Sequence, residues 1–459
     1  MAGLSIAHRA ALAQIIDTVP DRTLRQLTQA VGTMAGERAL ELSLMLREAG
    51  RDRARRMRGL NALAPLFRPR ADGVAGLTFP AALLPRIWKI VAAGQADVVG
   101  HLDPRSDYQD DSHQVSTVCA RLFAAAAAAV RDQPEAVWPL TLNDTGGSPL
   151  GREPRLQTLA HVCDFGGLAH RALPSLKAWV GRPDGDQIAE LRLLLRDAAS
   201  ISEDGAQTLL EILFAHLTQA PLVLRLVANA SHAAPRESFL SGSELATFVD
   251  RLIDAAEARA ARIDAYRAGD PVEPLRADLE WVAQFLKETD SAVPARAESA
   301  WGKRIRRVRL GVSRSLGGQL GRVDQALDRA MPTVRVAAAG PVRREIPDLE
   351  LPIDPDFREK ALVALDLVRV TRSLTGPFGC DGQRLALTAD LTARLIAYAD
   401  LALEEVHAGD AGDGVLAGQR VMMAAEFLER IECETEGRAV RRRVAAAGLL
   451  VKGVSPKAA

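Results

Sequence analysis

From residue 4 to residue 435, apolar side chains recur at spacings of three and four. No run alternates β-branched with polar residues as a half-buried strand does. Each such segment must coil into a helix with one apolar face, and each face must find a neighbour. The expected fold class is therefore all-α: an irregular array of antiparallel helix pairs, bundle-like or solenoid-like. A proline-rich extended linker is expected ahead of a C-terminal helical segment. Aligning the helices gives no fixed period, so a regular repeat family is not expected.

Local signals divide the 459 residues. Asp21 is placed to cap a helix on which Leu24, Leu27, Val31 and Met34 share one face, and Gly50 reads as its stop. The basic stretch 51–58 and a Pro/Gly-marked loop over 65–80 follow. Helices are predicted over 81–93, over 113–131, from residue 156, over 203–218 and from Pro221. Asp186 reads as the cap of a helix carrying Leu191, Leu194 and Leu195. Ser241-Gly242-Ser243-Glu244 has the form of a capping box ahead of Phe248, Val249, Leu252 and Ile253. Residues 275–287 are its antiparallel partner across the Gly269-Asp270-Pro271 turn.

Pro332, Pro341, Pro347, Pro352 and Pro355 fall within 24 residues. Proline removes a donor and fixes φ, so this stretch should be extended. Three further helices are predicted near 357–374, 384–407 and 415–435. The domain organisation reads as an N-terminal helical region 1–138, an irregular loop 139–155 and a central helical region 156–331. A linker 332–357, C-terminal helical hairpins 358–436 and a basic tail 437–459 complete it.

Charge excludes some partners at the level of the whole molecule. Lys+Arg and Asp+Glu each total 58, for a net charge of +0, so no overall field draws in nucleic acid or an anionic membrane. Alanine, leucine and arginine are in excess, and aromatics are only 4%. Cys119, Cys163, Cys380 and Cys433 form no CxxC pair and read as reduced, mostly buried thiols. With no signal-peptide pattern and no apolar run of about 18 residues, a cytoplasmic location without a transmembrane segment is expected.

The most specific feature is a basic amphipathic helix over 301–330. Trp301, Ile305, Val308, Val312, Leu316, Leu320, Val323 and Leu327 keep helical spacing, with Lys303, Arg304, Arg306, Arg307 and Arg309 between them. Trp301, Lys303, Arg304, Ile305, Arg306, Arg307, Val308 and Arg309 form the candidate interaction surface. Such a helix suits an acidic groove on a partner protein or an anionic lipid interface, or else packs its stripe into the core.

Two clusters raise chemistry. His101, Asp103, Asp107, Asp110, Asp111 and His113 carry metal-ligand residue types, but not at EF-hand or HExxH spacing. Caps and solvent explain them, so no metal and no cofactor is expected. His161, Cys163, Asp164 and His170 surround Gly166-Gly167, where a Cys–His pair is conceivable and a packing role more natural. The basic runs 51–58 and 438–457 admit phosphate contacts without the exposed aromatics that base stacking wants. The expected function is a non-catalytic helical scaffold, adaptor or regulator working by protein–protein contact. The alternatives are a metal-dependent or Cys/His enzyme with a site around 101–113 or 161–170, and a nucleic-acid or membrane-surface binder.

Overall fold

The computed structural model describes residues 4–103, 112–142, 151–230, 245–267, 269–337 and 343–449. The fold is all-α, with one two-stranded sheet among the described residues, and the chain divides into two compact units, Met1–Ala246 and Thr247–Ala459.

In the first unit, α1 (Ile6–Thr18), α2 (Asp21–Gly32) and α3 (Glu37–Gly59) gather around a small core of Ile16, Leu24, Val31 and Leu46. Two expectations are corrected here. Gly50 does not stop a helix: α3 runs through it, so the basic stretch 51–58 is the second half of α3. Asp21 makes no cap bond; it lies in the first turn of α2 and pairs with Arg53 at 2.7 Å. Helical φ/ψ continues past Gly50 because the arginines beyond it are tied down. Arg53 also donates to the Ile16 carbonyl at 2.6 Å, Arg55 pairs with Asp103 at 3.0 Å, and Asp52 accepts from Trp88 Nε1 at 2.8 Å.

The unit continues through α4 (Leu83–Gly94), α5 (Ser112–Asp132), α6 (Arg152–Asp164), α7 (Gly166–Trp179), α8 (Gly185–Ile201), α9 (Gly205–His216) and α10 (Val223–Ala230). The cap of α8 is Asp184, in a capping box with Gln187, rather than Asp186. The step from α6 to α7 needs glycine. A Cβ on Gly166 would lie 2.3 Å from the Phe123 ring. The loop over 65–80 is held by buried Arg70, paired with Asp72 at 2.7 Å. Arg70 donates to the carbonyl of Phe214 in the last turn of α9 and to that of Leu217 just past it, while Asp72 accepts the Ala220 N–H. Two half-buried histidines grip the residues after α3: His170 bonds Asn61 at 2.9 Å and His216 bonds the Ala62 carbonyl at 2.8 Å.

The second unit opens with α11 (Ala246–Ala265) and α12 (Val272–Ala292), the expected antiparallel pair. Arg262 bonds Asp278 across it, and Arg259 stacks on the Trp281 ring with 3.9 Å to the centroid. The capping box at 241–244 lies outside the described residues. The basic helix is not one element. It divides into α13 (Ala300–Leu320) and α14 (Val323–Ala330) at Gly321-Arg322, after Gly317, Gly318 and Gly321 have weakened the ladder.

Among the described residues the proline-bearing stretch holds two strands that pair. β1 (Thr333–Ala337) and β2 (Arg343–Pro347) form an antiparallel ladder in the register Thr333↔Pro347 to Ala337↔Arg343. Pro341 lies outside the described residues. α15 (Pro355–Val370), α16 (Asp381–Ala408), α17 (Gly414–Arg430) and α18 (Glu434–Ala446) complete the unit. A lone hairpin is marginal; this one rests on α16, where Arg344 pairs with Glu404 at 2.7 Å. Buried Arg420 of α17 donates to the Leu351 carbonyl at 2.6 Å and the Ala330 carbonyl at 3.4 Å, tying down both approaches to the hairpin.

Two outcomes follow. Arg420→Met leaves those carbonyls unpaired in the interior, a loss of about 1–3 kcal/mol, whereas Arg369→Met on the surface should cost under about 1 kcal/mol; urea midpoints of the two variants compare them. Burial holds His170 and His216 below their ordinary value of 6.5, with Arg68 adding to the effect at His216. The unfolded chain therefore takes up the protons first, so this contribution is intact above pH 6.5 and is lost as pH falls below it. The urea midpoint should drop between about pH 7.5 and 5.5, and less steeply in a His170→Gln, His216→Gln variant. An equal slope in both proteins would exclude these residues as the source.

Candidate functional site

The apolar stripe of α13 is core. Ser299 caps the helix by accepting the Gly302 N–H at 2.9 Å, which sets the rotation of the first turn. Trp301, Ile305, Val308, Val312 and Leu316 are buried, and Trp301 Nε1 donates to Asp250 of α11 at 2.7 Å. Trp301, Ile305 and Val308 therefore drop out of the expected contact surface. Two of its cations are also engaged. Arg304 bonds Glu257 at 3.0 and 2.6 Å and Asp254 at 2.6 Å, and these bonds push its pKa further up. Arg309 bonds Asp290 of α12 at 2.7 Å.

The remainder of the predicted set stays exposed. Lys303, Arg306 and Arg307 share a stripe with Leu310 and Arg314, at offsets of three, four, seven and eleven residues. Lys303 reaches Glu298 only at 3.8 Å. Arg306, Arg307 and Arg314 make no ion pair among the described residues. Between them is a shallow depression of about 390 Å³, floored by Ala297, Leu310 and Gly311. Leu310 is 53% exposed. One apolar side chain ringed by four cations can hold a carboxylate-rich segment: each guanidinium offers paired donors, and the leucine gives an apolar residue somewhere to rest.

Among the described residues the other clusters bring together neither a metal group nor a nucleophile with its base. Asp107, Asp110 and Asp111 lie outside the described residues, as does the His113 side chain. Asp103 is paired with Arg55. Among the described residues no three His, Cys, Asp or Glu side chains converge as a metal group would. In the 161–170 cluster, Cys163 is fully buried and burial pushes its thiol up to about 12. Asp164 is tied to Arg131 and His170 to Asn61. His161 faces Asp204 at 3.0 Å, with Ser202 donating to the same carboxylate at 2.7 Å. Serine and carboxylate meet the same Nε2 edge of His161, at 3.5 and 3.0 Å. A relay needs one on each ring nitrogen, so this is a hydrogen-bonded corner rather than a nucleophile with its base.

Two further concavities were not foreseen. One, of about 380 Å³, lies between the hairpin, α14 and α16, over Leu327, Met331, Leu395 and Tyr398. Its rim charges are spent on each other, since Arg394 holds Asp324 and Asp328 and Thr333 donates to Glu345. The other, of about 670 Å³, lies between α2 and α3. Leu27 and Met34, expected on the buried face of α2, are exposed, at 38% and 64%, and neither lines it. The signal that could have found it is a second helical stripe on α3, Leu40, Leu44, Arg47 and Arg51, off the buried one.

No family model matches the chain, nor does any curated protein or solved structure. Among the described residues no helix is long and apolar enough to cross a membrane.

Thiol titration checks the reading of the 161–170 cluster. With its pKa near 12, Cys163 carries a thiolate fraction of about 10⁻⁴ at pH 8. Cys119, raised to about 11, is similarly inert. Native protein should leave both unreacted with dithionitrobenzoate, and guanidinium should release all four thiols. Fast reaction of Cys163 in the native protein would restore a nucleophile to the cluster.

Proposed function

We propose that the protein is a non-catalytic helical scaffold, adaptor or regulator that works by protein–protein contact, and that the exposed stripe of α13 receives an acidic segment of its partner. The observation that carries the reading is a contrast within one helix. Arg304 and Arg309 each have carboxylates of their own unit, whereas Arg306, Arg307 and Arg314 have none among the described residues. Like charges one turn apart, as at Lys303 and Arg307, weaken a helix by about 0.2–0.5 kcal/mol. Glycines at 311, 317 and 318 weaken it further. An acidic partner removes the repulsion. The near-zero net charge fits a local contact better than a general affinity for polyanions.

Fluorescence anisotropy with labelled polyglutamate tests this. Binding is expected at low salt and should fade as the screening length drops below about 10 Å. Arg306→Glu with Arg307→Glu should abolish binding without moving the thermal melt, because neither residue is in the core. Ile305→Asp is the counterpart: it puts a charge on the buried stripe and should lower the melt. A single-stranded oligonucleotide that binds more tightly than polyglutamate, or binding indifferent to the double change, would refute the reading.

A further inference from the structure

We infer that the groove between α2 and α3 is a docking site for an acidic amphipathic helix of a partner protein. The inference does not rest on α13. The groove lies entirely within the first unit. Leu24, Arg25 and Thr28 of α2 form one wall, and Leu44, Arg47 and Arg51 of α3 form the other. Its chemistry changes along its length. Leu44 lines it and is 55% exposed, and Leu40, one turn earlier on α3 and just outside the lining, is 64% exposed. Arg47 and Arg51 carry the same stripe onward, with Arg25 across from them.

These cations are lightly engaged. Arg25 donates to its own helix at the Asp21 carbonyl at 3.4 Å. Arg47 has no partner among the described residues. Among the described residues Arg51 meets exposed Glu48 alone, at 2.7 Å. The carboxylate at the far end, Asp103, is held by Arg55. An occupant must therefore place apolar side chains over Leu40 and Leu44 and carboxylates about 10 Å further along, seven residues at 1.5 Å each.

Gly50 is the independent observation. It sits mid-helix, where glycine weakens the structure relative to alanine. Gly59 at the end of the same helix is there for packing, since a Cβ on it would come within 2.8 Å of Leu102. A Cβ at Gly50 would meet nothing within 4 Å. Among the described residues its missing side chain serves no contact, and it lines the groove with Arg47 and Ala54. A glycine with space above it lets a second helix backbone come close, as helix-in-groove recognition requires.

The test uses the full chain and a fluorescein-labelled amphipathic peptide of about 20 residues, long enough to lie along α3. Its leucines occupy one face and its flanks are glutamate; a second peptide carries lysine flanks. The glutamate peptide should bind and the lysine peptide should not. Gly50→Leu should weaken binding at least about tenfold while leaving the melting temperature equal or higher, since leucine is the better helix former. Arg47→Glu with Arg51→Glu should weaken it similarly. Arg306→Glu with Arg307→Glu should bind the peptide as the parent does, which separates this groove from α13. Undiminished binding by Gly50→Leu, or equal binding of the two peptides, would overturn the proposal. So would loss confined to the α13 variant.

Discussion

A helix ends with carbonyls that have no partner within it, and a fold built almost wholly from helices has many such ends to bury. In this protein arginine side chains satisfy them. Arg53 reaches the end of α1, Arg70 the end of α9, Arg225 the end of α7 and Arg192 the end of α10. Arg152 binds the Pro134 and Trp138 carbonyls, and Arg420 binds Ala330 and Leu351. A guanidinium has five donors on a long stem, so it can leave its own helix and close another. Part of the arginine excess, which composition alone presents as basicity, is thus an internal hydrogen-bonding device. The chain's cations as a whole are balanced by as many acids, with Lys+Arg and Asp+Glu each at 58.

This use of arginine bears on how the surface is read. A cation counts toward recognition only once its internal duties are subtracted. Along α13 the subtraction removes Arg304 and Arg309 and leaves a compact group on one stripe. Along α3 it removes Arg53 and Arg55 and leaves Arg47 and Arg51 beside two exposed leucines. The same residue type thus builds the interior and marks the exterior, with position on the helix deciding between them.

The all-α architecture was legible in the sequence because it follows from apolar period, which local chemistry dictates. So was the antiparallel pairing of α11 with α12, where turn residues separate two stripes. What was not legible depended on partners distant in the chain. Gly50 looked like a stop because nothing local shows that Arg53 and Arg55 are anchored on both sides. The strands were hidden because Val334, Val336 and Ile346 alternate over too few residues to stand out. Trp301 and Ile305 read equally well as core or as contact, since burial of a stripe is decided by the helix opposite. Arg306 and Arg307 were named among the candidates and Arg314 was not, and only the placement of Asp254, Glu257 and Asp290 separates these arginines from their engaged neighbours.

The tie between Arg70 and the carbonyls at the end of α9 spans 144 and 147 residues. A ribosome adds about 5–20 residues each second. The loop over 65–80 is therefore made on the order of ten seconds before the segment that secures it. During that interval Arg70 and Asp72 have each other and water, and the apolar residues beside them, Leu66, Phe67 and Phe79, lack part of their cover. The fold of the first unit thus closes from its C-terminal side. Nascent chains halted short of α9 would present that loop to chaperones, whereas chains halted after α10 would not.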